Sequence, residues 1–307
     1  MKEGTSLSAL DLTCALSAVV LWGLNFVAMK YGMRDFTAFQ LGALRYIAAV
    51  IPLIFFVRRP SVSGSRVLLF GLAQLGQFGF LFVALQMGMT SALASVLMQV
   101  QVFFTVILGV VVLKENVSRP MQVALVLAAL GLACFAMNVG GAVAGGIALG
   151  SLLLNLLGAL MWASSNIIAR QTQAAHPGYD PLQFVVWTCL VPILPFLLLS
   201  WLFDPVESRQ NWTNAGAGAW MAVLYLGWFV NIGAFTLWTR LLQRHPANRV
   251  APFSLGIPLI GMAAGIALLD EQVTPWQWAG CACVLLALCV VVCYPQWRRW
   301  VARPNAA

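Results

Sequence analysis

Residues 109–118 read GVVVLKENVS, and residues 265–274 read GIALLDEQVT. Each closes a long apolar run with a Gly, a short aliphatic stretch, a charged residue and a Glu. Gly109 precedes Glu115 by the same interval as Gly265 precedes Glu271, and a Gln follows in each next run, Gln122 and Gln277. A second pair lies upstream. Trp22-Gly23-Leu24-Asn25 leads to Lys30, and Trp162-Ala163-Ser164-Ser165-Asn166 leads to Arg170, with Trp and cation equally spaced in both. The chain therefore carries an internal repeat, divided as 1–140 and 141–307.

Outward from these stretches, apolar runs broken by charge, Pro or Gly predict helices over 9–29, 37–57, 67–87, 91–113, 121–138, 147–169, 182–203, 217–240, 250–269 and 276–294. A helix needs about 20 apolar residues to cross a bilayer, so the expected fold is an all-α integral membrane protein of ten transmembrane helices. Each repeat then holds five helices. An odd number sends the second repeat into the membrane from the opposite side, which gives an inverted repeat of the kind that secondary transporters use for alternating access.

Composition agrees. The 307 residues are 61% hydrophobic and 8% charged, against about 25% charged in soluble domains. The net charge of +8 is no nucleic-acid footprint, because the cations sit between apolar runs rather than on a polar face. With the N-terminus placed in the cytoplasm, the inward segments hold Lys2, Arg58, Arg59, Arg66, Lys114, Arg119, Arg170, Arg240, Arg244, Arg249, Arg298, Arg299 and Arg303. The outward ones hold Lys30, Arg34 and Arg209. This bias follows the positive-inside rule and predicts an inner-membrane protein with both termini cytoplasmic.

At these residues a resemblance can be stated. Leu21-Trp22-Gly23-Leu24-Asn25-Phe26, Leu44-Arg45-Tyr46, and the two helix-end glutamates resemble the EamA family of the drug/metabolite transporter superfamily. Ala92-Leu93-Ala94-Ser95 with Gln99, Gln101 and Phe103-Phe104-Thr105, and Arg249-Val250-Ala251-Pro252, are similar to the O-acetylserine/cysteine exporters of bacteria. The resemblance implies a secondary exporter of small metabolites, with amino acids such as cysteine or O-acetylserine as substrate. A broad drug or metabolite exporter is the alternative, ahead of an integral-membrane enzyme or a channel.

No nucleotide-binding loop is present, no His/Cys/Asp/Glu grouping has metal-site spacing, and the seven cysteines lie in apolar runs. No enzyme activity, cofactor or metal is expected. Asp and Glu avoid the span interiors, which argues against a buried carboxylate relay for protons. Glu115 and Glu271 are expected as helix-end groups near adjacent backbone. What remains inside the spans is neutral amides and one cation, Arg45. The candidate substrate-binding residues are Trp22, Asn25, Arg45, Gln77, Gln99, Gln101, Trp162, Asn166 and Asn231. Gln74 shares a helix face with Gln77. Trp187, Trp228 and Trp238 are further candidate walls. Amides both donate and accept, which suits a zwitterion. Gly71, Gly76 and Gly79 read as breaks or close contacts. Gly261 and Gly265 have the GxxxG spacing of a homodimer face or of close packing within the chain.

Overall fold

The structure, a computed structural model, describes residues 8–114, 117, 119–137, 147–245 and 250–301, and contains helices with no strand among them. In chain order these are α1 (Ala9–Gly32), α2 (Ala38–Phe55), α3 (Gly64–Gln86), α4 (Ser91–Leu113), α5 (Arg119–Ala136), α6 (Leu149–Ala175), α7 (Pro181–Phe203), α8 (Ala217–Leu241), α9 (Phe253–Leu269) and α10, whose apolar part is Pro275–Val292. Among the described residues nine are long and apolar enough to cross a membrane. The expected ninth span is shorter, because its first turn, Ala251–Leu255, carries Pro252 and winds as a 3-10 turn. The expected boundary at residue 140, Glu115 and Arg249 lie outside the described residues.

Helix ends in such a fold cannot rely on water, so side chains satisfy their free N–H groups. Ser8 and Asp11 form a reciprocal capping box on α1, and Thr37 and Gln40 form one on α2. On α10, Thr274 N donates to Gln277 Oε1 at 2.9 Å, and Gln277 N to Thr274 Oγ1 at 3.4 Å. Asp180 caps α7 ahead of Pro181, whose missing N–H costs nothing at that position.

The carboxylates kept out of the span interiors tie helix ends together. Glu271 accepts from Ser91 N at 2.6 Å, Ala92 N at 2.8 Å and Ser91 Oγ at 3.0 Å, so it caps α4 from the far repeat. Asp35 accepts from Gly216 N at 2.7 Å, and Asp204 accepts from the Thr37 hydroxyl. At the other end of α1, Asp11 meets His245 Nε2 at 3.0 Å and Arg244 Nη1 at 3.5 Å.

The two matched sequence stretches share a backbone feature. Lys114 and Asp270 both adopt left-handed conformation, at φ 56° and 53°, and their N–H groups donate to Gly109 O and Gly265 O. The matched sequence stretches thus end their helices in the same way. Helix α4 is also interrupted by a 3-10 turn at Met98–Val100, and α8 widens into a π-helical stretch over Tyr225–Ala234. Both irregular turns adjoin polar residues of the candidate site.

Two close approaches set the helix positions. A Cβ on Gly227 would lie 2.6 Å from Ala48 Cβ and 3.0 Å from the backbone O of Arg45, so α8 reaches α2 only because residue 227 has no side chain. Gly261 lies against Ser95, and Gly265 against Glu271 and Ser91, so both face α4 within the chain. That side of α9 is already filled, and a homodimer would need another face. Gly71 and Gly76 are likewise close contacts, to Val191 and Met161, whereas Gly79 has ordinary spacing to Phe196.

Replacing Gly227 by Ala should destabilise the protein by about 1–3 kcal/mol through overpacking. Thermal unfolding in detergent checks this, with Gly218→Ala unchanged because a Cβ there meets nothing within 4 Å. Glu271→Ala should cost a similar ~1–3 kcal/mol by orphaning the α4 amides, and Glu271→Gln should recover part of it in the same measurement.

Candidate functional site

The site is built around the guanidinium of Arg45. Its residue is 1% exposed and lies well inside α2, with Tyr46 and Leu44 buried on either side. Nε and Nη2 both donate to Asn231 Oδ1 of α8, at 3.0 and 2.6 Å, and Nη1 donates to Asn25 Oδ1 of α1 at 3.1 Å. The guanidinium carbon stands 3.8 Å from the centre of the Phe78 ring of α3. Four helices therefore meet at one charge. The close approach at Gly227, one turn before Asn231, brings the α8 amide within reach.

These partners hold the guanidinium without neutralising it. Both amides are uncharged, and among the described residues no carboxylate forms an ion pair with Arg45. Three of its five N–H donors are used, which leaves one on each terminal nitrogen. Arg keeps its charge in proteins, so this is a desolvated cation with part of its fork open. Tyr46 adds a contact on the same side, its hydroxyl 3.5 Å from Gln74 O, and stacks with Phe196 at 6.1 Å between centroids.

A second polar group forms between α4 and α6. Asn166 Nδ2 donates to Gln101 Oε1 at 2.7 Å and to Thr105 Oγ1 at 3.2 Å, and the Thr105 hydroxyl donates to Gln101 O at 2.7 Å. This group follows the 3-10 turn of α4, which turns the Gln101 end of the helix toward α6. It is an amide cluster without charge.

Of the residues expected from sequence, Asn25, Arg45 and Asn231 come together in one network, and Gln101 and Asn166 in the other. Gln77 and Gln99 are buried, at 8% and 5% exposure, and join neither network among the described residues. Trp22 stands edge-on to Trp238 at 5.3 Å, one helical turn before Asn25 on α1. Trp162 is half-buried against the main apolar core. Trp187 donates its indole N–H to Val57 O at 3.5 Å. Trp228 is 45% exposed, and its indole N–H donates to Ala48 O and Ile51 O where α2 is interrupted before Pro52.

Two participants, Phe78 and Thr105, were not among the expected site residues. Phe78 supplies the ring beneath Arg45, and its place one turn after Gln74 was the available signal. Thr105 had been read only as part of a motif. Asn155 of α6 is 0% exposed with both amide atoms unpartnered, and nothing in its apolar neighbours announces it.

Comparison with known proteins gives the arrangement a family. The model of the EamA-like transporter family matches twice, over residues 10–137 and 149–293. A "Probable amino-acid metabolite efflux pump" of Salmonella typhimurium (strain LT2) is 36% identical over 289 residues, covering 93% of this chain and 96% of its own. A protein of the same name from Escherichia coli (strain K12) is 33% identical over 298 residues, covering 96% and 99%. A crystal structure of another protein superposes with a TM-score of 0.62 at 17% identity, over 94% of this chain and 99% of that one, which shows a shared fold. With two matched segments spanning most of its length, this chain, a multi-pass integral membrane protein, belongs to the EamA-like transporter family.

Proposed function

We propose that this protein exports amino acids or close derivatives across the cytoplasmic membrane, with Arg45 as the anchor for the substrate carboxylate. The observation that carries this is the buried Arg45 guanidinium, held by two neutral amides and a ring and left with open donors. A charge at the centre of a span costs about 3 kcal/mol by insertion scales. Its retention is explained if an anion completes it during transport. A carboxylate matches the fork of an arginine geometrically. The names of the Salmonella and Escherichia coli relatives point to the same substrate class. Cysteine and O-acetylserine are the first members to test, on the resemblance of the α4 motif.

The mechanism is alternating access between two inverted five-helix repeats, 1–140 and 141–307, with both termini cytoplasmic. It is supported by the matched helix ends at Lys114 and Asp270 and by the interruption of α4 beside its amides. Discontinuous helices at the repeat interface are where such carriers hold their cargo. The carrier reading is supported by the relatives named as efflux pumps.

Membrane vesicles loaded with labelled amino acids test this. Saturable efflux of at least one of them is expected, and absence of saturable efflux across the panel contradicts the reading. Arg45→Lys keeps the charge but loses the fork and the stacking on Phe78, so export should fall at least about tenfold at equal protein in the membrane, about 1.4 kcal/mol of binding. Export unchanged in Arg45→Lys and in Arg45→Gln would remove the anchor role.

A further inference from the structure

We propose that Gln74 and Asn231 make the Arg45 site specific for the α-amino carboxylate pair, with Asn231 Nδ2 and the open Arg45 donors taking the carboxylate and Gln74 Oε1 taking the ammonium. This rests on Arg45 as carboxylate anchor and adds which groups read the second charge.

Two unpartnered atoms carry the inference. Asn231 must turn Oδ1 toward the guanidinium, since Nε and Nη2 both donate to it. Its Nδ2 is thereby left unbonded to Arg45, and it is buried with no partner among the described residues. Gln74 Oε1 is also buried without a partner. Gln74 stands one helical turn before Phe78, about 6 Å along α3, and Phe78 is the ring under Arg45. The Tyr46 hydroxyl, on the residue following Arg45, reaches the backbone O of the same Gln74 at 3.5 Å. An orphan donor therefore sits on the amide that holds the cation, and an orphan acceptor one helical turn from the ring beneath it.

Each orphan is unfavourable in the empty site, because a buried polar group keeps its desolvation cost when it has no partner. A ligand that relieves both must bring acceptors to Asn231 and donors to Gln74. A carboxylate offers acceptors alone, and an ammonium offers donors alone. The α-amino carboxylate group carries the two a few ångströms apart. The ammonium is met by a neutral amide oxygen, since no acidic side chain is bonded into this network. An added cationic side chain would then bring a further charge beside Arg45 with nothing to balance it, so diamino acids should be excluded.

The test uses purified protein and two matched pairs of probes: L-cysteine with 3-mercaptopropionate, and L-phenylalanine with 3-phenylpropionate. Each pair differs in the amino group alone. Ligand-induced thermal stabilisation gives an apparent affinity for each. The wild type should prefer at least one amino acid over its des-amino partner by roughly tenfold or more, as expected when a buried acceptor is left unpaired. In Gln74→Met, which removes the orphan oxygen at similar volume, that ratio should fall to about one to threefold, with Gln74→Leu as a second variant giving the same result. Lysine should compete with neither pair. A wild-type ratio near one, or a ratio unchanged in both variants, overturns this inference. If those ratios fail while Arg45→Gln still weakens both members of a pair, the anchor reading survives alone. If no probe stabilises the protein, the anchor reading falls and this inference falls with it.

Discussion

One desolvated guanidinium organises the centre of this molecule. A soluble protein would pair Arg45 with an acid, and this chain has none in its span interiors to offer. The charge is held instead by dispersed means: two amide oxygens from α1 and α8, and the face of a ring from α3. Each is weaker than an ion pair. Together they fix the orientation of the fork while leaving its sign uncancelled. In the function proposed above, an anion completes such a site.

The surrounding architecture follows from that requirement. Asn231 reaches α2 because Gly227 lets α8 come within backbone contact of Arg45. Asn25 is held on α1, which is clamped by Asp11 at one end and by the Lys30 ammonium donating to Leu85 O at the other. The scarce carboxylates have a different task. Asp11, Asp35, Asp204 and Glu271 join helix ends across distant parts of the chain, and Glu271 does so by capping a helix of the opposite repeat. Charge at the ends fastens the bundle.

Much of this was legible in the sequence for simple reasons. A bilayer demands long apolar helices, so their positions appear as runs. The matched GVVVLKENVS and GIALLDEQVT stretches marked two helix ends that the backbone then closes in the same left-handed turn. Arg45 announced itself as the single cation inside a span. Which amides would reach it was not legible, since Asn25, Gln77, Gln99 and Asn231 differ by helix rotation and side-chain reach rather than by type. The π-helical stretch that carries Asn231 has no pattern in a uniformly apolar segment. The bonds of Trp228 were not legible for a related reason: the carbonyls it meets, Ala48 O and Ile51 O, are freed only by the interruption of α2 at Pro52. Phe78 looked like any apolar core residue.

The central claim is that Arg45 is left uncompensated for the sake of an anionic ligand. Isothermal titration of the purified protein with the best amino-acid ligand, in wild type and in Arg45→Gln, measures this directly. The account predicts saturable binding in the wild type and binding at least tenfold weaker in Arg45→Gln. Equal affinity in the two proteins, or undiminished binding of the carboxyl-blocked amide of the same amino acid, would contradict it.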